Sequence, residues 1–363
     1  MTRRIIGVIG DAFIDVTAGG LARAPSFGDD VGVESIALNT GGSALNTALQ
    51  LNSLCGERMC VRFFGALGDD AWADIIRARC TRSGLELHAA VVKESSTGVC
   101  IVLSGCGDRG FVSSYAANKL WRVADIDRAA LFECEHIHVG GFFSVSAEVR
   151  AALPALLREA REVHGCTVSF DTNFDGTGAW DGVAALLPLT DVFLPNEVEA
   201  AAIAASLVAA PADVAHGDDA ALGEERSALD TAVDVLLRYA PFVVATCGAE
   251  GVVARRCAAA GGACWHVAAE PPAAILDATG CGDAFNAGFL SAWLNAGATS
   301  SGSAPRAGGA LNFTRGTVEA ALVEGCAVGT IVIARVGACI ETVTPPEVVA
   351  LLAARSARLA GAS

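Results

Sequence analysis

The sequence predicts an α/β fold: a doubly wound, mostly parallel sheet flanked by helices, with a second, smaller β-sheet beside it. Three observations predict it. Short apolar runs alternate with stretches of helical spacing along most of the 363 residues, and repeated strand–helix units close as a parallel sheet covered on both faces. The apolar runs end in polar residues, and in such sheets ligands sit at the C-terminal ends of the strands. Residues 12–40 and 88–118 break the alternation and read as short strands joined by glycine-rich turns.

Each element follows in order. IIGVIGD (5–11) is a buried strand ending at an acid, and ALNTALQLNSL (44–54) a helix with Gly41 and Gly42 ahead of it. CVRFFGALGDD (60–70) is a strand running into a loop, and 70–80 is helical. HIHVGGF (136–142), TVSFDTN (167–173) and DVFLPNE (191–197) are strands with polar ends, and 146–163 is a helix with charge on one face. PFVVATCG (241–248) is another strand, and 284–295 an apolar helix. Two stretches rich in Ala, Gly, Ser or Asp, 209–225 and 298–316, read as loop insertions. His136 and His138 alternate on their strand, which suits packing rather than metal binding.

Composition narrows the function. Hydrophobic residues make up 53% and charged residues 18%, so a sizeable core is available. The formal charge is −15 and no Lys/Arg run occurs, which argues against a nucleic-acid partner. The apolar stretch GCAVGTIVIARVGA is broken by Arg335 and falls short of the ~20 residues a membrane span needs. At the N-terminus Asp11 comes too early for a signal peptide. Thirteen cysteines without a C-x-x-C suggest reduced thiols and a cytoplasmic setting.

Five short stretches carry chemistry. In DATGCGDAF (277–285), Gly280, Cys281 and Gly282 precede an apolar helix. The first N–H groups of a helix have no intrahelical partner and carry partial positive charge, so this is a nest for a phosphate or oxyanion. Asp283 stands at the same place, either as a base or as a helix cap. A thiol there is expected to lean toward thiolate and to alkylate readily, or else to point into the helix packing with only its N–H on the site. In GDAFIDV, Asp11 and Asp15 can accept bonds from hydroxyls, or be solvated loop acids. In GGSALN, Gly41 and Gly42 permit close approach of a small polar ligand, and Asn46 can donate and accept. In PNEVEA, Asn196 and Glu199 share a helix face, suited to water-mediated Mg²⁺ or to a cap with its partner. In TCGAEG, Thr246, Gly248 and Gly251 suit a nucleotide or a simple turn. No G-x-x-x-x-G-K-[ST], no G-x-G-x-x-G after the first strand and no G-x-S-x-G occurs, which argues against P-loop, dinucleotide-binding and serine-hydrolase chemistry.

Read together, GGSALN, PNEVEA and LDATGCGDAFNAGF resemble the ribokinase (PfkB) family of carbohydrate and nucleoside kinases along nearly the whole chain. The resemblance implies one ribokinase-like kinase domain over 1–363, with 12–40 and 88–118 as a β-sheet lid. It implies Asp283 as the base and the N–H groups of Gly280, Cys281 and Gly282 as the anion hole for the γ-phosphoryl group. Asp11, Asp15, Gly41, Gly42 and Asn46 would hold the sugar. Asn196 and Glu199 would organise Mg²⁺ and phosphates, and Thr246, Gly248 and Gly251 would line the ATP site. Cys326 falls where an Asn often stands near the adenine, and Cys281 where an alanine is common. Asp277 and Thr279, with the backbone near Gly337, resemble the monovalent-cation site of many members, a K⁺ site. DTNFDG departs from the D-P-N-and-arginine pattern of many sugar kinases, which leaves the sugar open.

The expected activity is ATP-dependent phosphorylation of a small sugar. A nucleoside kinase is the alternative within the family, for which GGFFSVS (140–146) speaks. A non-catalytic sugar or nucleotide sensor is the alternative outside it, against which Asp283 and its glycines argue. An open lid sheet offers edges through which a homodimer could pair.

Overall fold

The structure, a computed structural model, describes residues 3–105, 108–209, 227–297, 311, 313–335, 337 and 341–361. Of the expected insertions, 210–225 and 298–310 lie outside the described residues. Thirteen strands are found among them: β1 (Arg4–Ile9), β2 (Phe13–Leu21), β3 (Ser35–Gly41), β4 (Met59–Leu67), β5 (Glu86–Val91), β6 (Gly98–Gly105), β7 (Asp108–Ser114), β8 (His136–Val139), β9 (Thr167–Phe170), β10 (Val192–Phe193), β11 (Phe242–Thr246), β12 (Val252–Arg256) and β13 (Ala263–Val267). The helices are α1 (Ser43–Cys55), α2 (Ala71–Ser83), α3 (Ala117–Leu120), α4 (Arg128–Phe132), α5 (Ala147–Glu162), α6 (Val183–Leu186), α7 (Glu197–Ala209), α8 (Ala228–Leu236), α9 (Cys281–Gly297), α10 (Arg315–Ile333) and α11 (Pro345–Gly361).

Nine strands form the main sheet in the order β13-β12-β11-β10-β9-β8-β1-β4-β5, and four form a second sheet in the order β3-β2-β6-β7. From β11 to β5 every pair is parallel, while β12 and β13 add an antiparallel edge. The expected lid segments therefore hold the second sheet, with one correction. Residues 88–91 belong to β5, which pairs with β4 at the edge of the main sheet. Their half-buried side chains pack on the large sheet, a placement the local pattern does not distinguish. The strands expected at 136–142, 167–173 and 191–197 are also shorter than expected, because their last residues turn away toward the site.

The period of two along β1 builds both layers. Ile6 and Val8 join a core with Leu45 and Leu49 of α1, Phe289 and Trp293 of α9 and Leu322 of α10. Ile9 faces the other way, into a core with Leu153 and Leu157 of α5, Ile203 of α7 and Leu236 of α8. Each such large side chain fully removed from water contributes about 1.5–3 kcal/mol. Helix α10 is long and apolar enough to cross a membrane by length and composition, yet Val318, Ala321, Leu322 and Val328 are buried in the core with α9.

His136 and His138 prove to be packing residues, as expected. Both are fully buried and share Ser169 Oγ, at 2.8 Å from His136 Nε2 and 2.8 Å from His138 Nδ1. Burial holds both rings neutral, with pKa values far below the usual range. The described cysteines are free thiols.

Candidate active site

The central strand β1 has β4 on one side and β8 on the other, so the chain's order along the sheet reverses there. A crevice opens outside the strand ends at such a switch point. Asp11 follows β1, Gly141 follows β8, and α1 starts at Ser43 beside them. Gly42 caps α1 with φ 95°, and a Cβ there would lie 2.9 Å from Ala12 Cα, so the turn requires glycine. Asp11 accepts the Ala44 N–H at 3.0 Å. Burial raises its pKa, while that bond and the Ser144 hydroxyl pull the other way.

Asp15 comes from β2 in the lid, opposite Asn39 of β3. It packs against Gly41, where a Cβ would fall 2.2 Å from its carboxyl group. Burial, then the charges of Asp11 and Asp277, push its pKa up to about 7. The lid thus lays one acid over the acids of the main sheet.

Asp283 stands in the first turn of α9 and is buried. Ser43 Oγ donates to its Oδ1 at 2.8 Å and Asn46 Nδ2 to its Oδ2 at 3.0 Å. Burial pushes its pKa up to about 8; the Asn46 and Ser43 bonds oppose this, and the charges of Asp171 and Asp11 add to it. Asn46, expected on the sugar, thus gives one amide hydrogen to Asp283. Asp171, after β9, accepts Asn286 Nδ2 at 2.7 Å and the Asn173 N–H at 3.0 Å. Burial raises the pKa of Asp171 and of Glu199, and in Glu199 the Asp171 charge adds to it.

Asn196 and Glu199 form the cap that their spacing allows. The Asn196 N–H donates to Glu199 Oε2 at 3.0 Å and the Glu199 N–H to Asn196 Oδ1 at 2.9 Å, a reciprocal cap on α7. Glu199 is at the same time buried and feels the charges of Asp171 and Asp283. Thr246, at the end of β11, bridges Asn196, and its N–H reaches Pro195 O at 3.0 Å. Gly248 and Gly251 form the turn that follows, and Cys326 is buried in α10 within the core.

At the α9 N-terminus Gly280 has φ 74° and its carbonyl accepts the Ala284 N–H at 2.8 Å. The Cys281 N–H turns back to Ala278 O at 3.3 Å. The expectation of a thiolate-prone Cys281 is overturned. Its Sγ points toward Gly329 O of α10 at 3.6 Å. Burial pushes the thiol up to about 11; Arg109 opposes that shift, and Asp283 and Asp277 reinforce it.

The loop before α9 gathers Asp277, Thr279 and Gly337. Asp277 Oδ1 accepts the Thr279 N–H at 2.8 Å and Oδ2 the Gly337 N–H at 2.9 Å. Arg109 Nη1, from β7 of the lid, lies 3.3 Å from Asp277 Oδ1 and 3.0 Å from Thr279 Oγ1. Burial works against the Asp277 charge, yet the bonds from Thr279, Gly337 and Arg109 hold its pKa below the ordinary carboxylate value.

Sequence reasoning missed Ser43, Asp171, Asn286 and Arg109. Two left a local signal: Ser43 lies inside GGSALN, and Asn286 follows Asp283 by one helical turn in GDAFN. Asp171 was visible only as a departure, and Arg109 looked like part of a turn.

A doubly wound sheet with a lid sheet, and a buried acid beneath a glycine turn at a helix N-terminus, define a ribokinase-like phosphotransferase. The chain belongs to the pfkB family of carbohydrate kinases, whose model matches residues 5–345. An adenosine kinase of Schizophyllum commune is 27% identical over 270 residues, covering 73% of this chain and 76% of that one. A ribokinase from Giardia lamblia superposes with a TM-score of 0.78 at 20% identity, over 97% of this chain and 99% of the other. A putative ribokinase II from Escherichia coli, solved with ATP and Mg²⁺, superposes with a TM-score of 0.72 at 19% identity, over 97% and 99% of the two chains.

Proposed function

We propose that the protein transfers the γ-phosphoryl group of ATP to a hydroxyl of a small sugar, with Asp283 as the base. The observation that carries this is Asp283 itself. It is a buried carboxylate in the first turn of α9, held by Ser43 and Asn46, with its pKa pushed up to about 8. A base poised near the working pH takes a proton effectively. Its two hydrogen bonds favour the ionised form and fix its direction. Beside it, the N–H groups of Gly280 and Gly282 would face the transferring phosphoryl group, joined by that of Cys281 once it leaves Ala278 O, where charge has to be stabilised.

The acids fit Mg²⁺. The Asp171 charge raises the pKa of both Glu199 and Asp283, and the Asp283 charge adds to the shift of Glu199, a repulsion that a divalent cation relieves. Among the described residues no three His, Cys, Asp or Glu side chains converge on a metal position. That suits an ion held through water by one or two acids and by phosphate oxygens. Glu199 with Asn196 would hold it; bound Mg²⁺ supplies charge neutralisation at the phosphates. Thr246, Gly248, Gly251 and Cys326 would line the rest of the ATP site.

Asp11, Asp15, Gly41, Gly42 and Asn46 would surround the sugar. The lid face that carries Asp15 supports a sugar, because the row across it, Asn39–Asp15–Cys100–Ser113, sets three polar side chains around one thiol. Asn39 Nδ2 in that row is buried with no partner among the described residues, as suits a donor that meets a ligand oxygen. The adenosine kinase relative favours a second reading, a nucleoside acceptor, for which Phe13 and Tyr115 at the lid base are the aromatic candidates. A coupled ADP-release screen over sugars and nucleosides with Mg-ATP tests both. Turnover with sugars alone supports the first reading, turnover with nucleosides alone the second, and ADP release with neither removes the proposal.

The opposite lid face carries the row Leu38–Val16–Ile101–Val112, of which Leu38, Ile101 and Val112 are exposed. A second copy of this chain would cover it, giving a homodimer through the lid. Sedimentation of the wild type against an Ile101→Lys variant checks this: the variant should be a monomer where the wild type is a dimer.

A further inference from the structure

The resemblance puts a monovalent cation beside Asp277, Thr279 and Gly337, and the described residues there do not fit one. Such an ion needs several oxygens turned toward it in place of its hydration shell. Here Asp277 Oδ2 is taken by the Gly337 N–H at 2.9 Å and Oδ1 by the Thr279 N–H at 2.8 Å. Thr279 Oγ1 accepts Arg109 Nη1 at 3.0 Å, and the same Nη1 is 3.3 Å from Asp277 Oδ1. A guanidinium already stands against the oxygens a cation would use, and a cation at contact distance would be repelled by it. The pair is not a surface ornament: the Asp277 side chain is only 4% exposed.

We infer that the Arg109 guanidinium takes the place of the monovalent cation, so this protein orders its anion-hole loop with a charge from its own lid. Asp277 and Thr279 lead directly into Gly280 and the first turn of α9. Arg109 lies on β7, and its strand partner across β6 is Ser104. A chain that carries its own cation on the lid gains a link that a free ion does not give. The loop is braced by the element that covers the substrate, and K⁺ becomes unnecessary. Arg109 is a positioning residue here, acting through Asp277. The inference rests on the phosphotransferase reading for its activity arm only; its binding arm stands apart.

The experiment uses wild type, Arg109→Met and Arg109→Lys at constant ionic strength, with choline replaced stepwise by K⁺. Turnover of the wild type should be flat across the exchange. Arg109→Met should be slower in choline and recover about tenfold to a hundredfold in K⁺, the scale of one charged hydrogen bond. Arg109→Lys, which keeps the charge, should stay insensitive to K⁺. In parallel, melting of the substrate-free proteins should show K⁺ raising the midpoint of Arg109→Met and leaving that of the wild type unchanged. K⁺ activation or stabilisation of the wild type overturns the inference. So does an Arg109→Met protein that is flat to K⁺ in both rate and melting.

Discussion

Asn46 Nδ2 donates to Asp283 Oδ2 at 3.0 Å, and with it the first turn of α1 grips the first turn of α9 across 237 positions of sequence. Ser43 Oγ, 2.8 Å from Asp283 Oδ1, completes the grip. Both act on the one carboxylate that the helix N-terminus would turn toward a phosphoryl acceptor, and they set its direction and its charge.

Asp283→Asn preserves shape and removes the base. Turnover should fall by roughly 10²–10⁴, the usual scale for a general base. Equilibrium binding of ATP should persist. Folded variant with near wild-type turnover contradicts the assignment.

Ser43→Ala removes one bond that favours ionised Asp283. Its pKa should then rise further, by about one unit if the bond is worth a typical charged hydrogen bond. The acid limb of kcat/KM moves to higher pH, and activity lost at pH 7 returns near pH 9. A uniform loss at every pH would mean that Ser43 only supports packing.

Stability of the ligand-free protein should fall as pH rises from about 6.5 to 8. Asp15 and Asp283 have folded pKa values of about 7 and about 8 against an ordinary 3.8. In that window the folded state keeps protons that the unfolded chain has lost, so raising pH favours unfolding. Below the window the neutral His136 and His138 act the other way, because the unfolded chain protonates them first. Asp283→Asn should flatten the slope and melt above wild type at pH 8. Thermal melts across the window check this, and a wild-type midpoint that climbs with pH there contradicts it.

Cys281 should alkylate slowly. Its thiol is pushed up to about 11 and turned toward Gly329, whereas Cys264 is exposed. Peptide mapping after brief iodoacetamide should find Cys264 modified first. Early modification of Cys281, with protection by Mg-ATP, would place the thiol in the phosphate pocket after all.

Much of the site was legible because its parts sit where local rules place them. Gly41 and Gly42 precede a helix, Gly280 and Gly282 frame a helix N-terminus, and Asn196 and Glu199 have capping spacing. The Cys281 expectation failed for a reason local rules do not contain. A helix terminus lowers a thiol pKa only where the side chain stays in the open site, and this Sγ turns instead toward Gly329 O of α10. Residues 88–91 were assigned to the lid for a similar reason: a half-buried strand reads the same on either sheet.

The sequence by itself determined the strand–helix alternation, the acids at strand ends and the glycine turns, since each depends on neighbours a few positions away. Only the tertiary structure decided what those groups do to one another. It set Asn46 on Asp283, drew Asp171 and Glu199 into one electrostatic cluster, and brought Arg109 from the lid to Asp277, 168 positions on. Hydrogen bonds and charges act over a few ångströms of space, and distance along the chain does not measure that.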